Sequence, residues 1–215
     1  MRLPRKEYNH FLGAILFSLI VFFILAVFVA IYGKDKSFLM INGSYSVQAD
    51  YFFNWVTFLG EWLLWVPLFA YALFYKRDFF IAVAVALLVC TLLTRLGKDV
   101  IYAGQPRPLR LLQNAARAVP ILKHNNYVNS FPSGHTSTAF TTSLLLAFIV
   151  RRKWAPYVFT LIAFLVGYSR VYLAQHFVTD VLAGIIVGVV SSYTALLVYE
   201  RFRKKRGPTV NHASP

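Results

Sequence analysis

Six stretches of nearly unbroken apolar residues divide this chain, with short charged groups between them. They cover residues 11–32, 53–75, 79–96, 132–150, 154–172 and 177–199. A helix needs about 20 apolar residues to cross the hydrocarbon core of a bilayer. The pattern therefore predicts an all-α, polytopic membrane protein with six transmembrane helices in one bundle. The first run follows Arg2, Arg5 and Lys6, as the apolar region of a signal peptide would. It is longer than the roughly 7–15 residues of such a region, so it reads as the first spanning helix.

Between the runs, residues 33–50 form a short polar link and Lys76, Arg77 and Asp78 a tight turn. Gly97, Gly104, Pro106 and Pro108 break regular structure and open the one long loop, residues 99–131. Within it, residues 109–119 mix Leu and Ala with Arg110 and Arg117, a candidate short helix lying at the headgroups. Residues 1–206 then form a single domain, and the polar tail 207–215 is expected to be disordered.

Composition strengthens this reading. Of 215 residues, 58% are hydrophobic and only 14% charged, too apolar for a soluble domain of this size. The formal charge of +14 would suggest nucleic acid in a soluble protein. Here the basic residues sit in clusters between apolar runs, so no nucleic-acid partner is expected. Cys90 is the single cysteine, which excludes an intrachain disulfide and a thiolate metal cluster.

The charge pattern also gives a direction across the membrane. Arg2, Arg5 and Lys6, then Lys76 and Arg77, then Arg151, Arg152 and Lys153, and finally Arg201, Arg203, Lys204, Lys205 and Arg206 make up more than half of the 22 basic residues. Cytoplasmic connections are enriched in Lys and Arg, so these four segments, both termini among them, are expected on the cytoplasmic side. The 33–50 link, the long loop, the start of the fourth helix and the corner from Arg170 to His176 then face the other way.

Two stretches on that face carry candidate chemistry. Ser130–Thr136 reads S-F-P-S-G-H-T. Pro132 suits the first turn of a helix, Ser133 can cap it, and Gly134 lets a ligand approach the backbone. Free N–H groups at such a start attract anions, and His135 would meet a bound anion with a proton donor or acceptor working near neutral pH. The second stretch, S-R-V-Y-L-A-Q-H-F-V-T-D from Ser169 to Asp180, supplies the cation Arg170, the imidazole of His176 and the carboxylate of Asp180. On a helix His176 and Asp180 stand one turn apart on one face, a base with its orienting acid.

These residues resemble the type 2 phosphatidic acid phosphatase superfamily, which includes bacterial lipid phosphate phosphatases and the vanadium haloperoxidases. The family carries a lysine followed by an Arg-Pro pair, the tetrad Pro-Ser-Gly-His, and Ser-Arg followed by a histidine with an aspartate four residues on. The chain has Lys98 with Arg107-Pro108, Pro132-Ser133-Gly134-His135, and Ser169-Arg170 with His176 and Asp180. Lys98 stands two residues further from its Arg-Pro pair than is usual.

The resemblance implies phosphomonoester or pyrophosphate cleavage through a phosphohistidine. His176 would be the nucleophile, Asp180 its orienting carboxylate, and His135 the acid that protonates the leaving oxygen and then the base for water. Lys98, Arg107, Arg170, Ser133 and Gly134 would hold the phosphoryl oxygens. Three cations make a divalent metal unnecessary, and the acids near the motifs do not form a metal-binding cluster, so no metal and no cofactor is expected. The implied setting is a bacterial inner membrane, with the active site facing the periplasm or cell exterior. The substrate is a lipid phosphate, with undecaprenyl diphosphate, phosphatidylglycerophosphate, phosphatidic acid and lipid A as candidates. A lipid phosphotransferase using the same intermediate, or a catalytically silent lipid-phosphate binding or transport protein, are the competing readings. Glu61, inside the second apolar run, is costly in lipid and is expected either to serve the site or to pair with a cation such as Arg95.

Overall fold

A computed structural model describes residues 5–112, 115–117 and 127–205; the expected tail, 207–215, lies outside them. The described residues contain helices and no strand. These are α1 (Arg5–Asn42), α2 (Val47–Phe58), α3 (Trp65–Phe74), α4 (Phe80–Arg95), the short α5 (Pro108–Leu111), α6 (Gly134–Val150), α7 (Ala155–Tyr172) and α8 (Val178–Lys205). A π turn, Leu59–Leu63, joins α2 to α3, and a second, Leu96–Ile101, extends α4. Five continuous spans are long and apolar enough to cross a membrane. The sixth apolar helix, α6, has 17 residues and is shorter, about 25 Å at 1.5 Å per residue.

The short helix is the central one. From Thr136 to Phe148 every residue of α6 except Thr138 is buried, with α7, α8, α1 and α4 packed around it. A helix enclosed by protein need not match the bilayer thickness itself. Glycine on α8 brings its nearest neighbour in. A Cβ on Gly184 would lie 2.7 Å from Thr136 Cβ, and one on Gly188 would lie 2.4 Å from Phe140 Cβ. This small-residue stripe lets the two backbones approach closely, as at other membrane helix crossings. Asp180 is one turn before Gly184 on the same face, so the crossing presses it against the start of α6, where Ser133 N–H donates to the Asp180 carbonyl at 3.1 Å.

The basic turns gather at one end of the bundle. There Tyr8 stacks on Phe148, Phe79 packs edge-on against Tyr199, and Lys76 lies over the Tyr199 ring. Tyr8 donates to the buried Glu200 at 2.9 Å, closing α1 onto the end of α8. The motif residues lie at the opposite end, where α4 and α7 finish and α6 and α8 begin.

Three boundaries differ from expectation. The 33–50 link is mostly helical: α1 breaks at Gly33 (φ 76°, ψ 168°) and then continues to Asn42. That continuation is amphipathic rather than polar. Phe38 is fully buried against Phe177, and Lys34 lies 4.1 Å from the centre of the same ring. The next helix begins at Val47, because Ser46 caps it by accepting from Ala49 N–H at 3.1 Å. In the long loop, the helix expected over 109–119 is the single turn Pro108–Leu111, with residues 113–114 and 118–119 outside the described set.

Candidate active site

The start of α6 is built by its cap. Ser133 Oγ accepts from Thr136 Oγ1 at 2.9 Å and from Thr136 N–H at 3.4 Å, and the serine is fully buried. Pro132 therefore precedes the cap rather than occupying the first turn, and Ser133 holds the helix start as well as bordering the site. The N–H groups of Gly134 and His135 point out of the first turn without intrahelical acceptors, as the geometry of any helix start requires.

Asp180 sits in the first turn of α8, and its Oδ2 gathers three donors: Ser130 Oγ at 2.5 Å, Phe177 N–H at 3.1 Å and His176 Nδ1 at 3.2 Å. A carboxylate accepts only, so the bond fixes the proton on Nδ1 and leaves Nε2 with its lone pair. His176 is 1% exposed. Burial pushes the imidazole down to about pKa 3; the bond to Asp180 opposes this, and the charges of Arg107 and Arg170 add to it. The ring is thus neutral at physiological pH, the form a nitrogen nucleophile requires.

Three cations converge here from three elements. Arg107, in the loop, donates from Nε to Val128 O at 2.9 Å and from Nη1 to Gln175 O at 3.1 Å. Arg170, in the last turn of α7, donates from Nη1 to Thr57 Oγ1 at 2.6 Å, while its buried Nε has no hydrogen-bond partner. Lys98, in the second π turn, reaches Asn129 O at 3.1 Å, with its Cε 3.9 Å from where a Cβ on Gly134 would stand. All three, and His176, are close enough to His135 to act on it by charge. The π turn and a left-handed Gly104 (φ 76°) lie within the extra length between Lys98 and Arg107. An orphaned guanidinium N–H, a lysine and a helix start facing two histidines form a cradle suited to a tetrahedral oxyanion.

A cleft of about 280 Å³ runs from His135 along α4, lined by Glu61, Thr91, Thr94, Arg95 and Thr138 among others. A second hollow of about 200 Å³ reaches the Asp180 side past Lys34, Gln105 and Ser130. Of the two alternatives for Glu61, the site or a cation such as Arg95, the contacts are those of the first. Arg95 pairs with Asp99 at 3.4 Å, one turn on along its own helix, whereas Glu61 Oε1 lies 3.3 Å from His135 Nε2. Residues 59–63 leave the α-helical path, and this swings the carboxylate toward α6. Among the described residues, no three His, Cys, Asp or Glu side chains come together as a metal site.

The PAP2 superfamily model matches residues 77–204, more than half of the chain and all three motifs. The chain belongs to the PAP2 superfamily. It is 29% identical over 168 residues to a lipid A 4′-phosphatase of Porphyromonas gingivalis, covering 75% of this chain and 71% of that one. To an undecaprenyl-diphosphatase of Sulfolobus acidocaldarius it is 26% identical over 189 residues, covering 84% and 88%. Among solved structures it is similar to LpxE of Aquifex aeolicus, with TM-score 0.66 and 28% identity over 76% of this chain and 94% of that one. Family and apolar helices together make this an integral membrane protein.

Proposed function

We propose that this PAP2 phosphatase hydrolyses a lipid phosphate through a phosphohistidine on His176, without a metal, at the non-cytoplasmic end of a six-span bundle in which α6 is the short central span. The observation that carries the reading is the convergence of the neutral His176–Asp180 pair, His135 and three cations on one point. His176 Nε2 forms the P–N bond while the leaving oxygen takes a proton from His135. Water then attacks phosphorus as His135 accepts its proton, the P–N bond breaks, and its electron pair returns to His176. Lys98, Arg107, Arg170, Ser133 and the Gly134 N–H stabilise the charge that builds on the phosphoryl oxygens. Glycolipid monophosphates of the lipid A type are the first substrates to test, given the relatives, with undecaprenyl diphosphate beside them.

The test is phosphate release by purified protein from these lipids and from phosphatidate, with and without EDTA. Turnover is expected to survive the chelator and to vanish in His176→Ala. EDTA loss restored by magnesium overturns the metal-free reading, and an active His176→Ala overturns the nucleophile.

A further inference from the structure

Each histidine of the site has its own carboxylate, Asp180 for His176 and Glu61 for His135. We propose that Glu61 is the positioning residue for His135, holding its Nε2–H so that Nδ1 is the nitrogen that gives and takes the proton. The inference rests on the mechanism above and deepens it.

Three observations carry it. The first is contact: Glu61 Oε1 lies 3.3 Å from His135 Nε2, with the side chains 40% and 27% exposed at the mouth of the cleft. The second is backbone. Glu61 has φ −95° and ψ −121°, outside the helical region, within a π turn that interrupts an otherwise helical span. Such turns inside helices accompany functional sites. The third is packing. A Cβ on Gly60 would stand 2.6 Å from Val166 Cγ1 and 2.8 Å from His135 Cβ, so glycine lets the π turn close directly onto α6 and α7. The structure thus brings a carboxylate to this imidazole at the cost of regular helix in a membrane span.

The electrostatic setting gives the pair its purpose. His135 is faced by Arg170 from α7, Lys98 from the turn after α4, Arg107 from the loop and His176 from the α7–α8 corner. Arg95 stands on the opposite wall of the cleft. Arg170, Lys98, Arg107 and Arg95 are four cations and His176 is neutral, so none of these groups supports a positive charge on His135. Glu61, which also lies within electrostatic reach of Arg170, supplies the compensating charge. During attack the imidazolium passes its Nδ1 proton to the leaving alkoxide as the P–O bond breaks, and the neutral ring keeps Nε2–H on Glu61. When water attacks, Nδ1 takes the water proton and the imidazolium returns. Glu61 exchanges no proton in either step, and it mirrors what Asp180 does for His176.

The decisive experiment compares two leaving groups in purified full-length protein: an alkyl lipid phosphate, which needs an acid, and 4-nitrophenyl phosphate, which does not. Glu61→Gln is expected to lower kcat/KM, which reports the steps through P–O cleavage and not the later attack of water, at least about tenfold on the alkyl substrate and less than about twofold on the aryl substrate, and to move the alkaline limb of its pH profile to lower pH. Glu61→Asp should restore part of the loss. Equal loss of kcat/KM on both substrates marks a purely structural role, and a Glu61→Gln enzyme with wild-type kcat/KM and pH limb removes any role; either result overturns the inference. His135→Ala, run in parallel, separates the two layers. If it too fails to discriminate between the leaving groups, the acid assignment itself falls.

Discussion

Gly184→Ala tests whether the site is set by the α6–α8 crossing. The added Cβ would stand 2.7 Å from Thr136 Cβ and 3.0 Å from Ser133 O. Carbon atoms rest at about 3.5–4.0 Å, so the helices must part by about 1 Å. Both obstructing atoms are backbone or Cβ, and no side-chain rotation relieves the overlap. The Ser133 N–H bond to Asp180 O, now 3.1 Å, would stretch to about 4 Å and be lost. Overpacking of this kind costs about 1–3 kcal/mol. A misplacement of about 1 Å between reacting groups costs on the order of a hundredfold in rate. The expected result is a fall in kcat/KM approaching a hundredfold on a lipid phosphate in mixed micelles, with melting lowered by a few degrees in the same detergent. Gly13→Ala is the control, because a Cβ there meets Pro156 at an ordinary 3.6 Å. Wild-type kcat/KM in Gly184→Ala, or an equal loss in Gly13→Ala, refutes the argument.

Three further outcomes follow from the geometry. Lys98→Ala should lower kcat/KM at least about tenfold through loss of a charge-assisted contact, whereas Arg95→Ala, whose side chain is 74% exposed and paired with Asp99, should change activity and melting little; kinetic loss that follows Arg95 reverses the assignment. His176 has a folded pKa of about 3 against 6.5 for the free group. The unfolded chain therefore binds its proton first, and stability should fall as pH drops from about 6.5 toward 3. The melting temperature of His176→Asn should depend less steeply on pH across that window, and an unchanged slope counts against the burial of a neutral ring. For orientation, a cysteine at Ser44 should react with an impermeant thiol reagent in intact cells and one at Arg152 should not; the reverse labelling inverts the topology.

Both chemical stretches were legible in the sequence because each is local. The four-residue step from His176 to Asp180 keeps the pair in reach, although His176 stands at the corner just before α8 rather than on a helix face shared with Asp180, and Ser133 announces a cap. The bundle was legible too, since apolar runs bounded by basic clusters admit few arrangements in lipid. Glu61 was not. Its partner depends on how far a π turn rotates the helix, and an apolar run looks the same whether its backbone is α or π. On regular helices Arg95 is an available cation, but Asp99 stands one turn away from it on its own helix and takes it first. The helical stretch after Gly33 was hidden for a related reason: Lys34, Asp35 and Lys36 dominate its composition, while one buried ring, Phe38, decides its conformation.

The cleft beside His135 determines how substrate concentration is counted. The described loop is pinned on both flanks of the site. Arg107 is bonded to the Gln175 carbonyl, and Arg117 forms a two-pronged pair with Asp50 at 2.8 and 3.0 Å. The α4 wall of the cleft, by contrast, borders the outward apolar face of Leu88, Leu92 and Leu96. A phosphate that arrives sideways, between helices, is drawn from a two-dimensional pool. Its KM is then a mole fraction in the membrane, and adding inert lipid at constant bulk substrate should slow the enzyme just as removing substrate would.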